Sequence, residues 1–298
     1  MAARGTFKIS DEVRDVLARS TITARPLGTS SPTATSVQLP PGQLERKLYQ
    51  DVNKVLEGAG GKWDRKSGSH IFDRDPREAL GLAVETGKAV NTRTKLQAFY
   101  TPPALAEKMV AASGIAKRPD VVRARAGDKF SRPLALEPSV GEGELAVALI
   151  KAAGGQVHID AIDTDEVALV VAERRMVAAF KAEGVSANFA FKVDAYDFLK
   201  VSIRDSVRYD FIIMNPPFTG GADMAHVTHA WALLEFGGVL VALTSPAWRT
   251  AKTKAAIAFR ELLLATGAEV EDIPAKTFEH TDIATVMLVL RKPAPSDA

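Results

Sequence analysis

Short apolar segments alternate with helical stretches from about residue 98 onward, and this alternation limits the choice of fold more than any other feature. Apolar runs of this length, bounded by turn residues and separated by helices, are typical of a mostly parallel, doubly wound α/β sheet. The predicted strands are LALEP, VHIDAID, ANFAFKVD, YDFIIMN, GVLVALTS and ATVMLVL. Such sheets bind ligands at the carboxyl ends of their strands, so functional residues are expected there.

The first predicted strand ends in the loop LEPSVGEGEL, with Gly141 and Gly143 between strand and helix. Glycines at this turn let the backbone approach a ligand, and the start of the helix offers unpaired N–H groups. Two acids, Glu142 and Glu144, would repel a pyrophosphate. Glu137 at the strand end suits an ammonium or sulfonium group, so a cationic ligand without phosphates fits better.

Acidic residues also end the next two predicted strands. Asp163 follows the glycine loop by about 20 residues, a spacing that places an acid on ribose hydroxyls in nucleotide-binding folds. Asp194 ends the third strand, where its carboxylate could accept a hydrogen bond from an adenine amino group. Together these residues describe an adenosine ligand without phosphates, and S-adenosylmethionine is the obvious candidate.

Five stretches resemble, in order, the motifs of class I DNA adenine-N6 methyltransferases of the gamma group: FYTPPALAEKMV, LEPSVGEGEL, AIDTDEVAL, VDAYDFL and YDFIIMNPPF. The resemblance covers roughly residues 97–291. It implies a Rossmann-like methyltransferase fold, S-adenosylmethionine as cofactor, no metal, and duplex DNA as the substrate.

The resemblance also implies roles for individual residues. The cofactor would be bound by Tyr100, Thr101, Pro102, Glu137, Ser139, Gly141, Gly143, Asp163, Thr164, Asp194, Ala195 and Asn215. The catalytic loop would comprise Asn215, Pro216, Pro217 and Phe218. Asn215 Oδ1 and the Pro216 carbonyl would accept both N–H groups of an adenine amino group. Phe218, expected to be exposed, would stack on the base once it has left the duplex.

The N-terminal third has a different pattern. Residues 1–36 are predicted to form a flexible arm that includes one short helix, SDEVRDVLARS, capped by Ser10. Residues 37–95 contain an amphipathic helix (QLERKLYQDVNKVLE), a β-hairpin (KWDRKSGSHIF) and a second helix (DPREALGLAVETG). This order predicts a small α+β, winged-helix-like unit, separate from a methyltransferase domain over residues 96–298.

The N-terminal unit is the predicted reader of DNA. Residues 1–97 hold 16 Lys and Arg against 11 Asp and Glu, and the remainder holds 22 against 25, which gives the net +2 of the chain. Gamma-group enzymes carry a recognition domain after their last motif, whereas this chain ends soon after VMLVLRK. We therefore expect the hairpin to contact duplex DNA, with a homodimer covering a palindromic site. The expected DNA contacts are Lys62, Trp63, Arg65, Lys66, Ser69, His70, Phe218, Phe278 and His280.

The composition excludes several other classes. The chain has no cysteine, so it cannot form the thiolate nucleophile that cytosine-C5 methylation requires. No run of about 18 apolar residues predicts a membrane span, and no signal core precedes the first helix. A cytoplasmic, nucleoid-associated protein of bacterial, phage or mobile-element origin is expected. The five histidines lack zinc-enzyme spacing, and a surface or cap role is expected for His226 and His229.

Two alternatives remain open. The Asn-Pro-Pro-Phe loop requires only a planar nitrogen, so the acceptor could be an RNA base or a protein glutamine. A non-catalytic DNA-binding protein on a methylase scaffold is the alternative from another class, although the complete motif set argues against it. A nicotinamide dehydrogenase fits poorly because the glycine loop lacks the full G-x-G-x-x-G pattern.

Overall fold

The computed structural model describes residues 6–24, 35–72, 75–90, 101–126, 132–188, 190–204, 207–275, 277 and 284–294. The chain divides into two compact units, Met1–Ala98 and Phe99–Ala298. The predicted domain boundary between residues 95 and 96 lies outside the described residues.

The N-terminal unit combines helices with two antiparallel sheets. Its elements are β1 (Thr6–Lys8), α1 (Asp11–Ala18), β2 (Thr21–Ala24), β3 (Thr35–Gln38), α2 (Arg46–Gly58), β4 (Lys62–Asp64), β5 (Ser69–Phe72), α3 (Arg77–Thr86) and β6 (Lys88–Val90). The larger sheet has the order β2-β3-β5-β4, and β1 pairs with β6. Apolar side chains from the helices and from β3 and β5 form one core, which includes Val16, Val37, Leu56 and Phe72.

The structure confirms some of the predictions for this unit and corrects others. Ser10 caps α1 by accepting a hydrogen bond from Val13 N at 3.3 Å, and the order of helix, hairpin and helix is as predicted. The prediction of a flexible arm is wrong for residues 21–24 and 35–36, which belong to paired strands. Their high Ser and Thr content led to the prediction of an arm, although Val37 in the second of these strands is fully buried. The hairpin is also no free wing, because β5 pairs with β3 as well as β4; a winged-helix assignment is not confirmed.

The second unit alternates helices and strands as predicted. Its elements are α4 (Pro103–Ser113), α5 (Pro119–Arg125), β7 (Leu134–Glu137), α6 (Glu144–Ala153), β8 (His158–Asp163), α7 (Glu166–Ala182), β9 (Phe191–Ala195), β10 (Tyr209–Met214), α8 (Ala222–Leu233), β11 (Leu234–Thr244), α9 (Lys254–Ala265), β12 (Glu269–Ile273) and β13 (Thr285–Arg291). Single 3₁₀ turns lie at Ile115–Lys117, Phe198–Lys200, Thr219–Gly221 and Pro246–Arg249.

One seven-stranded sheet organises this unit, in the order β12-β13-β11-β10-β7-β8-β9. The five strands from β11 to β9 pair in parallel, and β13 runs antiparallel to both of its neighbours. This confirms the mostly parallel, doubly wound α/β fold. The sequence failed to predict β12, because four of its five residues are exposed and show no apolar pattern.

Helices cover both faces of the sheet, which explains why its strands read as unbroken apolar runs. Alternate residues of β10 belong to different cores: Phe211 packs with residues of α4, α6 and α7, and Ile212 with residues of α8 and α9. The carboxyl ends of the parallel strands therefore project from a rigid, doubly packed sheet. Within the described part of the chain, no helix is long and apolar enough to cross a membrane.

Candidate cofactor and acceptor site

The ends of four parallel strands bring the predicted site residues to one edge of the sheet. Glu137 ends β7 and aligns with Ala161 of β8, and Asp163 ends β8 and aligns with Ala195 of β9. Asn215 directly follows β10, which pairs with β7. The cofactor residues and the Asn-Pro-Pro-Phe loop therefore leave the sheet at the same edge.

Glu137 is a buried carboxyl group at the end of β7. Its side chain is 1% exposed, and no described residue hydrogen-bonds its Oε2. Burial raises the pKa of Glu137 well above its ordinary range, and the nearby Asp163 and Glu144 carboxylates add to this effect. A buried carboxyl in this state favours a cationic partner, because a positive charge would offset the cost of ionisation. The site thus fits the amino group of an amino-acid ligand.

The loop between β7 and α6 is held on both sides. Gly141 N donates to Asp163 Oδ2 at 2.8 Å, and Val140 N donates to Ile162 O at 3.0 Å. On the other side, Arg175 of α7 donates to Glu142 O at 3.2 Å and pairs with the Glu144 carboxylate. These contacts fix the shape of the loop before a ligand binds.

Gly143 needs to be glycine for two reasons. Its φ of +87° is a backbone conformation that other residues rarely adopt. A Cβ at this position would lie 3.1 Å from Ala172 Cα of α7, so the loop packs directly against that helix. The close approach that the structure shows at this glycine is therefore toward α7, and the approach to a ligand stays a prediction.

Asp163 does more than the sequence suggested. Its Oδ2 accepts from Gly141 N and its Oδ1 accepts from Asp165 N at 2.9 Å, so both oxygens organise loops. Burial raises the pKa of Asp163, and the hydrogen bonds from the Asp165 and Gly141 amides oppose that rise. Each carboxylate oxygen can accept a further hydrogen bond, so the predicted ribose role remains compatible with this structural one.

The predicted adenine end of the site is more open. The Asp194 side chain is 43% exposed and pairs with Lys192 Nζ at 2.6 Å. Thr164 and Ala195 are exposed, and Ser139 is half-buried. Their cofactor roles stay predictions. Tyr100 lies outside the described residues.

The Asn-Pro-Pro-Phe loop begins with an oriented amide. Asn215 Nδ2 donates to Thr101 Oγ1 at 3.0 Å, and Thr101 is buried next to the half-buried Pro102. This bond joins two stretches that the sequence places far apart. Pro216 is buried and Pro217 is exposed. The expected exposure of Phe218 is wrong, because this ring is half-buried and packs against the core on the α4 side of the sheet.

Two predictions about histidines are also wrong. His226 and His229 were expected at the surface or in caps, but His226 is buried and both rings contact Phe198. Burial lowers the pKa of His226 to about 4, so this ring is neutral at physiological pH. In the N-terminal unit, Ser69 and His70 were expected to contact DNA, but both are buried.

The remaining hairpin residues keep the exposure that a nucleic-acid contact requires. Lys62, Trp63, Arg65 and Lys66 are all exposed, whereas His70 bonds to Asn53 Oδ1 of α2 at 2.7 Å. The exposed Trp63 is the cross-strand partner of His70, and the two rings make an edge contact with 5.1 Å between their centroids. Phe278 and His280 lie outside the described residues.

Sequence reasoning missed several residues that hold the site together: Arg175, Asp223 and Ser245. Asp223 carried a signal, since it follows the catalytic loop at the start of a helix, and Ser245 ends an apolar strand. Nothing in the sequence marked Arg175, which is one of several cations on α7.

Comparison with known proteins agrees with this architecture. Residues 134–260 match the family model of the methyltransferase small domain. No curated protein is significantly similar to the chain in sequence. Among solved structures, the methyltransferase subunit of a type I restriction-modification system from Streptococcus thermophilus is 20% identical, with a TM-score of 0.50 over 66% of this chain and 45% of its own. The type IIG restriction endonuclease BpuSI is 19% identical, with a TM-score of 0.53 over 74% of this chain and 28% of its own. The chain thus spans less than half the length of either.

The family match and the fold together define the class of the protein. Residues 134–260 form a methyltransferase small domain, and the sheet has the Rossmann-like fold of that class. The buried, unpaired carboxyl oxygen of Glu137 agrees with S-adenosylmethionine as the methyl donor of such a domain.

Proposed function

We propose that the protein methylates the N6 amino group of adenine in duplex DNA. The observation that carries the proposal is the oriented amide of Asn215, held by Thr101 at the edge of the sheet that also bears Glu137 and Asp163. The order of the five motifs supports an exocyclic amino group as the acceptor. The absence of cysteine supports the choice of an amino nitrogen over a ring carbon.

The chemistry of an exocyclic amino group explains the residues of the loop. Its lone pair is delocalised into the ring, so the nitrogen is a weak nucleophile. Asn215 Oδ1 and the Pro216 carbonyl would accept hydrogen bonds from its two N–H groups and draw the lone pair out of the ring plane. Because Asn is no base at pH 7, the residues act by positioning and electrostatics, and the proton leaves to water after transfer.

Bound S-adenosylmethionine would supply the electrophilic methyl group. Glu137 would hold its amino group, the Gly141–Gly143 backbone would approach it, and Asp163 and Asp194 would accept from its ribose and adenine. Phe218 packs on the core and stacks on the acceptor base from one side. A base within a duplex must first leave the stack, at a cost of a few kcal/mol.

The decisive test is transfer of a labelled methyl group to duplex DNA that lacks N6-methyladenine, followed by nucleoside analysis. Labelled N6-methyladenine is expected. Label in RNA or in protein glutamine, with none in DNA, would establish the alternative acceptor. Binding of S-adenosylmethionine and DNA without any transfer would favour the non-catalytic alternative.

Recognition of DNA is assigned in this proposal to the N-terminal hairpin. Arg65 and Lys66 lie in its exposed turn, where they could pair with phosphates. Replacing both by Ala should weaken DNA binding several-fold and lower the salt slope by about 2, one for each lost phosphate contact. The matched control removes two exposed lysines from helices of the second unit, Lys151 and Lys181. Equal salt slopes for the hairpin variant and the wild type would refute this assignment.

A further inference from the structure

The helix that follows the catalytic loop begins with a buried carboxylate. Asp223 lies in the first turn of α8 and is completely buried. Its Oδ2 accepts two hydrogen bonds from one residue, from Ser245 N and from Ser245 Oγ, each at 2.8 Å. Two bonds from one residue fix both the distance and the direction between α8 and the end of β11.

Ser245 follows the strand that neighbours the strand of the catalytic loop. Met214, the last residue of β10, aligns with Ala242, so β11 continues for two residues beyond this pair before the chain reaches Ser245. After β10 the chain runs from Asn215 through Phe218 to Asp223. There it is hydrogen-bonded to the end of β11, the strand that neighbours β10. The loop is therefore closed at both ends: Asn215 is bound to Thr101, and Asp223 is bound to Ser245.

Between these two attachments the loop contains two glycines in a backbone conformation that other residues rarely adopt. Gly220 and Gly221 both have positive φ, +68° and +78°, and a Cβ at Gly220 would meet nothing within 4 Å. Asp223, two residues beyond these glycines, is where the start of α8 is hydrogen-bonded to the end of β11. Asp223 Oδ1 is buried and has no hydrogen-bond partner among the described residues, and an unpaired buried oxygen is costly, so Asp is a demanding choice for a helix attachment alone.

We propose that Asp223 and Ser245 form a clamp that positions the catalytic loop for methyl transfer. Asp223 is a positioning residue that acts through the loop and makes no contact with the acceptor. This inference rests on the proposed function only for its kinetic consequences. The clamp itself concerns the order of residues 215–223.

Hydrogen exchange of the full-length protein tests the clamp without an acceptor. In Asp223→Ala, amide exchange at residues 218–224 and at Ser245 should accelerate at least tenfold, while residues 137–147 keep their wild-type protection. Asp223→Asn retains one acceptor oxygen and should recover part of the protection. The control Glu261→Ala removes an exposed acid from α9 and should change neither segment. Unchanged exchange in Asp223→Ala, or equal acceleration throughout the unit, would overturn the proposal.

Kinetics then tests whether the clamp serves the reaction. A displacement of about 1 Å at reacting groups can cost on the order of 100-fold in rate. With duplex DNA as acceptor, Asp223→Ala should lower kcat by this order and leave the Kd for S-adenosylmethionine unchanged. Ser245→Ala, which keeps the backbone donor, should lose less. A fall in cofactor affinity equal to the fall in kcat would show a general structural role and contradict the proposal. If the wild type does not methylate DNA, the proposed function fails while hydrogen exchange still decides the clamp.

Discussion

Two loops leave the same sheet edge and are built in opposite ways. The cofactor loop, residues 138–143 after β7, is bonded to Asp163 on one side and to Arg175 on the other, and a Cβ on its Gly143 would crowd Ala172 Cα at 3.1 Å. The catalytic loop, residues 215–221 after β10, is bonded to Thr101 through Asn215 and packs on the core through Phe218, and its Gly220 faces open space. Both loops use glycines with positive φ, but the surroundings of those glycines differ.

This difference matches what each loop must do. A cofactor that binds in every cycle gains affinity from a preorganised site, because little conformational entropy is lost on binding. A loop that receives a base from outside the sheet has to change shape when the base enters. Its two prolines restrict the backbone at the start of the loop, and its two glycines permit more conformations at the end. The comparison predicts that changes in the first loop affect cofactor binding, and changes in the second affect the rate of transfer.

The largest effect is expected from Asn215→Ala in the catalytic loop. Removal of one preorganised hydrogen-bonding group costs roughly 10²–10³-fold in kcat. Asn215 is only one of the predicted cofactor contacts, and Glu137 and the cofactor loop are untouched, so the Kd for S-adenosylmethionine should stay within about twofold. Single-turnover methyl transfer and isothermal titration measure the two quantities. Substantial residual activity would break the assignment of Asn215.

The two glycines offer a matched pair for the second prediction. Gly143→Ala adds a Cβ that lies 3.1 Å from Ala172 Cα, so the cofactor loop must shift away from α7. The Kd for S-adenosylmethionine should rise by on the order of 10–100-fold. Gly220→Ala has the same backbone penalty, about 1–2 kcal/mol, but meets no neighbour and should leave this Kd unchanged. Thermal unfolding separates a local shift from a loss of folding. Equal cofactor affinities in both variants would contradict the contrast between the loops.

Glu137 gives the cofactor loop a pH dependence that the catalytic loop lacks. Burial keeps the Glu137 carboxyl protonated above its ordinary pKa of 4.5 in the free protein, and a bound cationic amino group would favour the carboxylate. Cofactor binding should therefore release a proton, and affinity should rise with pH, by up to about tenfold per unit, until the raised pKa is passed. In Glu137→Gln this rise should disappear. Calorimetry in buffers of different ionisation enthalpy counts the released proton, and no difference between wild type and variant would refute the role.

The same shift predicts the opposite pH dependence for folding without cofactor. The unfolded chain ionises Glu137 near 4.5, whereas the folded chain holds the proton to higher pH. The folded state then binds more protons in that window, so the contribution of this group to stability falls as pH rises. With bound cofactor, the contribution of Glu137 to stability should instead rise with pH. Chemical denaturation at two pH values, with and without cofactor, measures both trends.

The contrast between the loops was only half visible in the sequence. Strand ends, glycines and prolines are local signals, so the positions of both loops followed from the apolar pattern and from the residues that interrupt it. The contacts that hold the loops are not local: Asp223 and Ser245 are 22 residues apart, and Arg175 and Glu144 are 31 apart. Which cation of α7 meets the loop depends on how that helix is rotated against the sheet. Likewise, β12 and β3 owe their pairing to neighbouring strands more than to their own composition.

The smallest expected effect comes from Arg175, which braces the cofactor loop from outside. Its ion pair with Glu144 is partly exposed, with side-chain exposures of 36% and 25%, so the pair contributes about 0.5–1 kcal/mol. Arg175→Ala should therefore raise the Kd for S-adenosylmethionine only about two- to fivefold and leave the single-turnover rate at saturating cofactor unchanged. Arg175→Lys keeps the charge but lacks the planar fork that bonds Glu142 O and Glu144 together. Its Kd for S-adenosylmethionine should therefore lie between those of the wild type and Arg175→Ala. A lower single-turnover rate at saturating cofactor would mean that the two loops are coupled through α7. It would contradict the conclusion that the cofactor loop affects binding and the catalytic loop affects the rate of transfer.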